Sequence, residues 1–184
     1  MSEKNVEVAT LGGGCFWCLE GVFEQVTGVV SVVSGYCGGH DDAPTYAQVC
    51  TGNTGHAEVV RVVFDLQVIA YEQILEIFFA IHDPTTLNRQ GNDVGTQYRS
   101  VVFYHSAAQK RTAESVIQKL QAETYRDLPM VTEVRPEAPF FAAEDGHWQY
   151  YRKHPEQGYC RLVIAPKLAK FRDKFKSLVR SDVA

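Results

Sequence analysis

The sequence predicts an α+β fold, a two-layer α/β sandwich on a βαββαβ core with long loops, formed by a single domain over 1–184. Three observations lead there. Apolar strand-like runs and amphipathic stretches follow one another in the order β-α-β-β-α-β. A chain of 184 residues is long enough to bury roughly 70% of its unfolded surface in one core. No internal repeat, low-complexity tract or linker-like segment divides it.

The elements follow in chain order. Val6, Val8, Ala9 and Leu11 mark a strand over about 6–11, and Gly12-Gly13-Gly14 turns it into a helix over about 16–25. A strand is expected around 29–34, followed by a long Gly/Asp/Pro loop. The run 59–64 is nearly continuous in β-branched and aromatic residues and reads as a buried strand. A packed helix over 71–82 is stopped by Asp83-Pro84. After a second long polar loop, 84–99, comes a strand at 101–104. Ser106 and Gln109 have capping-box spacing, ahead of a helix with Ala113, Val116, Ile117 and Leu120 on one face. A strand around 130–135 and a short helix around 144–153 lead to a Gly/Pro/aromatic tail, 154–165, expected to be mobile. From Pro166, Leu168, Phe171, Phe175 and Leu178 line one face of a C-terminal helix ringed by Lys and Arg, which reads as a docking helix with a solvated cationic side. This order suits the split βαβ, ferredoxin-like arrangement. Loops longer than about 12 residues are uncommon in compact domains unless they carry function.

Composition narrows the function. A net charge of -4 and a pI near 5.9 argue against nucleic acid, whose readers present a basic face. The N-terminus has no signal-peptide core, and no apolar run approaches the ~20 residues of a membrane span, so a cytoplasmic protein without a membrane role is expected. Cysteines 15, 18, 37, 50 and 160 are too few and irregular for a disulfide framework. Cys37 and Cys50 read as packing residues.

Cys15 stands where the Gly-rich turn opens a helix. Unpaired N–H groups and the positive end of the helix dipole favour a thiolate there, the nucleophilic form of cysteine. The glycines also permit close approach of a substrate. Phe16 and Trp17 are unusual in the first turn of a surface helix unless they line something. Cys15-x-x-Cys18 has the spacing of a dithiol redox pair, which makes a general dithiol–disulfide oxidoreductase the alternative reading. The other cysteines are isolated and no His-x-x-x-His pair occurs, so no metal is expected. Glu58 precedes the apolar strand, either as an acid with a raised pKa or as a solvated strand-end carboxylate. The loop 91–99 concentrates polar side chains and glycines, including Asp93 and Tyr98. The stretch His147, Trp148, Tyr150, Tyr151, Tyr159 ends in Cys160, a core residue or a redox partner.

Taken together, the stretches GCFWC (14–18), GYCGG (35–39), PTYAQVCTGNTGHAE (44–58), HDPTTLNRQGNDVGTQYRS (82–100) and AEDGHWQYYRKHPEQGYC (143–160) resemble the peptide-methionine (S)-S-oxide reductase family, the A-type methionine sulfoxide reductases. The resemblance implies a two-layer sandwich and thiol-dependent reduction of the S epimer of methionine sulfoxide, free or in oxidised proteins. In that scheme Cys15 is the nucleophile, Glu58 the proton donor, Tyr46 and Tyr98 hydrogen-bond donors to the sulfoxide oxygen, and Asp93 an organiser of that corner. Phe16 and Trp17 form the S-methyl pocket. Cys160 resolves the sulfenic acid, with Cys18, where the family more often has Gly, as a second thiol. No cofactor is bound; thioredoxin, or dithiothreitol in vitro, is the reductant, and a monomer engaged in repair of oxidative damage is expected.

Overall fold

A computed structural model describes residues 5–181 of the chain. β1 (Val6–Gly12) leads through the glycine turn into α1 (Phe16–Phe23), and β2 (Val29–Cys37) follows. α2 (Tyr46–Cys50) interrupts the first long loop before β3 (Ala57–Asp65) and α3 (Tyr71–Ala80). The second long loop holds a two-residue-strand hairpin, β4 (Arg89–Gln90) and β5 (Asp93–Val94), and a 3-10 turn at Thr96–Tyr98. β6 (Val101–Tyr104), α4 (Ala107–Glu123), β7 (Glu133–Pro136) and β8 (Phe140–Ala142) come next, then α5 (Tyr150–Lys153) and α6 (Ala165–Lys174).

The fold is mixed α/β. One six-stranded sheet runs β7-β6-β1-β3-β2-β8. β3 lies between β1 and β2 and pairs antiparallel with both, β6 is antiparallel to β1, and only β7 joins in parallel. Side chains alternate across the sheet. One series, Ala9, Leu11, Tyr36, Val60, Val62, Phe64 and Val102, meets Leu19, Val22 and Phe23 of α1 and Ile74, Leu75 and Phe78 of α3 in the main core. The other face carries Cys37, Ala57, Val59, Val101 and Phe103, covered by Ala138 and Phe140. Glu58 falls in the first series, so alternation alone turns its carboxyl toward α1.

Several expectations are met and several are corrected. β2 runs three residues past its expected end, because Gly35–Cys37 pair with β8 as well as β3. Ser106 caps α4 by accepting from Gln109 N–H at 3.1 Å. The capping box is not closed, since the Gln109 side chain accepts from His105 N–H instead. The short helix expected at 144–153 is a 3-10 turn at Asp145–His147 and α5, broken at Gln149, whose φ is 52°. Cys160 opens a π-helical turn, Cys160–Ile164, continuous with α6. Leu168 and Phe171 of α6 are buried.

Candidate active site

The glycine turn is built by packing. Gly14 has φ +91°, and a Cβ there would lie 2.8 Å from Gln90 Cγ; at Gly13 it would lie 2.9 Å from His82 Cγ. These glycines let the segment 82–90 close on the turn, where the sequence suggested room for a substrate. Behind them, His82 is locked by bonds to Phe78 O at 2.6 Å and Ser100 Oγ at 2.8 Å. Cys15 is the N-cap residue of α1, 8% exposed.

Phe16 N–H, one of the free donors at the start of α1, donates to Glu58 Oε1 at 3.1 Å. Glu58 Oε2 is buried and has no partner among the described residues. Burial first, then the negative charge of Asp93 and Cys18, pushes the Glu58 carboxyl up to about 8 against the opposing Phe16 N–H bond. At neutral pH it carries a proton. Across the β2–β3 ladder Glu58 faces Tyr36, which is fully buried and tilts against Phe16 with centroids 5.7 Å apart.

Tyr46 is the first residue of α2, whose N-terminus Thr45 and Gln48 cap reciprocally at 3.2 and 2.8 Å. Its ring stacks near Phe16 and Trp17, both at 6.4 Å, and lies 4.4 Å from His147. Tyr98 ends the 3-10 turn, and its phenol is held well above the ordinary range by burial and by the charges of Glu58, Asp93 and Cys15. Asp93, on β5, accepts a 2.6 Å hydrogen bond from Tyr159 OH.

The C-terminal segment closes over these groups. Trp17 lies flat on Tyr150, centroids 3.7 Å and planes 8° apart, and its Nε1–H donates to His147 Nδ1 at 3.1 Å. Such a stack contributes about 0.5–1.5 kcal/mol beyond area burial. Glu20, on the next turn of α1, accepts from Tyr150 N–H at 3.3 Å and Ser34 Oγ–H at 3.2 Å. Burial and the neighbouring Glu24 push its carboxyl up to about 7. Cys160 is fully buried in the same core cluster as Cys15 and Cys18.

Burial, a hydrogen bond to Cys18 and the Glu58 carboxyl hold the Cys15 thiol well above its ordinary pKa, while the Trp17 N–H opposes them. The N–H groups at the helix start do favour the thiolate, but desolvation outweighs them in this geometry. Cys18 is drawn down to about 7, mainly by the Cys15 thiol donating to it, with help from Lys167 and Tyr159.

Cys15, Phe16, Trp17, Cys18, Glu58, Tyr46, Tyr98 and Asp93 thus converge on one region, with Cys160 packed behind α1. Cys50 does not match its expectation as a packing residue: it is exposed at the end of α2. Cys37 is buried as expected. Sequence reading passes over Tyr36 and Glu144. Tyr36 OH donates to Glu144 Oε1 and Tyr46 N–H to Oε2, each at 3.1 Å. The separation of 98 residues between Tyr46 and Glu144 leaves no local signal of that contact. Among the described residues no cluster of His, Cys, Asp and Glu is placed to hold a metal ion, and no helix is long and apolar enough to cross a membrane.

The Peptide methionine sulfoxide reductase family profile matches residues 7–179. The chain is 55% identical over 188 aligned residues to peptide methionine sulfoxide reductase MsrA of Polynucleobacter asymbioticus, covering 100% of this chain and 98% of that one. It is 59% identical over 180 residues to MsrA of Ralstonia nicotianae, covering 95% and 94%. Methionine sulfoxide reductase A of Corynebacterium diphtheriae superposes with TM-score 0.80 at 32% identity, over 85% of this chain and 78% of that one. Mxr1 from Saccharomyces cerevisiae in complex with Trx2 superposes with TM-score 0.54 at 25% identity, over 78% and 84%. With nearly the whole sequence inside the profile and full-length relatives above half identity, the chain belongs to the peptide methionine sulfoxide reductase family.

Proposed function

We propose that this enzyme reduces the S epimer of methionine sulfoxide, free or in oxidised proteins, and that Cys15, Glu58, Tyr46, Tyr98 and Asp93 carry the reaction. A sulfoxide is electrophilic at sulfur but has a poor leaving oxygen, so it needs a thiolate at sulfur and a proton at oxygen together. Glu58 supports this best: a buried, protonated carboxyl with one oxygen anchored by Phe16 N–H and the other unpartnered. Cys15 gives its proton to solvent and attacks as the thiolate, Glu58 protonates the oxygen, and a proton from solvent restores Glu58. The net step turns Cys15–SH and the sulfoxide into Cys15–SOH and the thioether. Tyr46 and Tyr98 donate to the oxygen, Asp93 holds that corner, and Phe16 with Trp17 receives the S-methyl group.

A second thiol then condenses with the sulfenic acid, releasing water and forming a disulfide that an external dithiol of the thioredoxin type reduces. We assign that thiol to Cys160, with Cys18 secondary. The tail carrying Cys160 moves for this step, in a monomer working in the cytoplasm and free of nucleic acid, membrane and bound cofactor. The strand order β6-β1-β3-β2 and its antiparallel pairing support the split βαβ, ferredoxin-like description of the core. Disulfide exchange through Cys15 and Cys18 alone would leave the buried acid and both tyrosines without a task. Resolved S and R sulfoxides with excess dithiothreitol are the test. Turnover confined to S and abolished in Cys15→Ser is expected; equal rates on both epimers, or retained activity in Cys15→Ser, would refute the assignment.

A further inference from the structure

We propose that Glu144 is a positioning residue for the substrate-oxygen site, setting Tyr46 through its backbone and Tyr36 through its hydroxyl. This rests on the reading of Tyr46 as a donor to the sulfoxide oxygen. α2 is five residues long, too short to hold itself together in water. Its capping box satisfies Gln48 N–H through Thr45 Oγ1, which leaves Tyr46 N–H among the orphan donors of the helix start. Glu144 Oε2 accepts that N–H. The bond fixes the backbone from which the Tyr46 side chain projects.

The other oxygen holds a second aromatic neighbour of Phe16. Glu144 Oε1 accepts Tyr36 OH, and Tyr36 touches Phe16 and faces Glu58 across the ladder. Because the Tyr36 hydroxyl is committed to Glu144, it does not occupy the partnerless Oε2 of Glu58. Glu144 itself is exposed, so neither hydrophobic burial nor core packing accounts for it. Its backbone is anchored: β8 pairs with β2, and Ala143 N–H donates to Ser34 O at 2.9 Å immediately before Glu144. One carboxylate on a fixed strand end thus uses one oxygen on each of two aromatic residues that flank the proposed site.

A double-mutant cycle on the full-length enzyme tests this, read as single-turnover methionine formation from the S sulfoxide. Tyr46→Phe should lose on the order of 10²-fold, the usual effect of removing one oxyanion donor. Glu144→Ala should lose about tenfold, the size of one charged hydrogen bond, in the chemical rate more than in KM. Glu144→Gln should stay within about twofold of wild type, because its amide oxygen accepts Tyr46 N–H while its NH2 donates to the Tyr36 oxygen. In the Tyr46→Phe background Glu144→Ala should cost nothing further. Iodoacetamide alkylation of Cys15 should be unchanged by Glu144→Ala, which a general disruption of the fold would not allow. If Glu144→Ala melts, Glu144→Asp carries the same test, since its shorter reach cannot serve both partners.

Wild-type rates in Glu144→Ala, or the same tenfold loss with and without the Tyr46 hydroxyl, would overturn the proposal while leaving the reading of Tyr46 intact. A Tyr46→Phe enzyme with full activity would overturn both.

Discussion

In the proposed reaction Glu58 and Cys15, which occupy one small volume, must enter the attack in opposite protonation states: a proton held on the carboxyl, none on the sulfur. Burial raises both groups, and that is productive for Glu58 alone. Glu58→Gln should therefore retain more activity than Glu58→Ala, which should lose ~10²–10⁴-fold, because the amide still donates a hydrogen bond to the sulfoxide oxygen. The wild-type rate should fall as pH rises through about 8, where Glu58 gives up its proton, and Glu58→Gln should lack that alkaline limb. A Glu58→Gln profile superimposable on wild type would make Glu58 a spectator. From the sequence Glu58 is legible as a carboxylate at the edge of an apolar strand, and that segment alone favours a solvated strand end over a buried acid. Strand alternation decides between them, once the neighbours Val60 and Val62 are known to face α1.

At the scale of elements, the buried segments of the main core are the readable ones. β3, β6 and α3 lie close to their expected bounds, since continuous apolar runs and a Pro stop are local signals. α2 and the β4–β5 hairpin were hidden inside segments that composition marks only as loops. They are held by distant partners such as Glu144 and Tyr159, and no local periodicity records those. The same holds for the turn carrying Cys160, which folds as the first turn of a helix because Ile164, Leu168 and Phe171 are buried against the core. A fully buried thiol in a helical turn has to be released before it reaches Cys15, so resolution should be slower than sulfoxide reduction. Cys160→Ser should then keep its first turnover and its dithiothreitol-driven activity while losing thioredoxin-driven turnover. Trapping thiols after one equivalent of sulfoxide and mapping disulfides by mass spectrometry should yield Cys15–Cys160. A dominant Cys15–Cys18 bond with normal thioredoxin turnover in Cys160→Ser would move the resolving role to Cys18.

For the whole molecule, two buried carboxyls make stability depend on pH in the direction opposite to a salt-bridged acid. Glu58, pushed up to about 8, and Glu20, pushed up to about 7, bind protons more tightly in the folded state than in the unfolded chain, where a glutamate titrates at about 4.3. Stability falls with rising pH wherever the native state holds more protons. The contribution of these residues is thus complete below about pH 4 and is lost progressively as pH climbs through 7 and 8. Both oxygens of Glu20 also receive hydrogen bonds, from Tyr150 N–H and Ser34, which moderates its shift, whereas Glu58 Oε2 has no such help. Glu58 should accordingly dominate. Between about pH 5 and pH 8.5 the wild-type enzyme should lose on the order of 6 kcal/mol, about 4 of it through Glu58, or roughly 12–24 °C in Tm for a chain of this size. Glu58→Gln should remove most of that slope, and Glu20→Gln a smaller part. At pH 8.5 Glu58→Gln should melt above wild type, with the gain shrinking toward pH 5. Calorimetric scans of the three proteins at both pH values decide the matter. A wild-type Tm that rises from pH 5 to 8.5, or a Glu58→Gln enzyme no more stable than wild type at the alkaline end, would mean that Glu58 is ionised in the folded protein and is not the acid of this site.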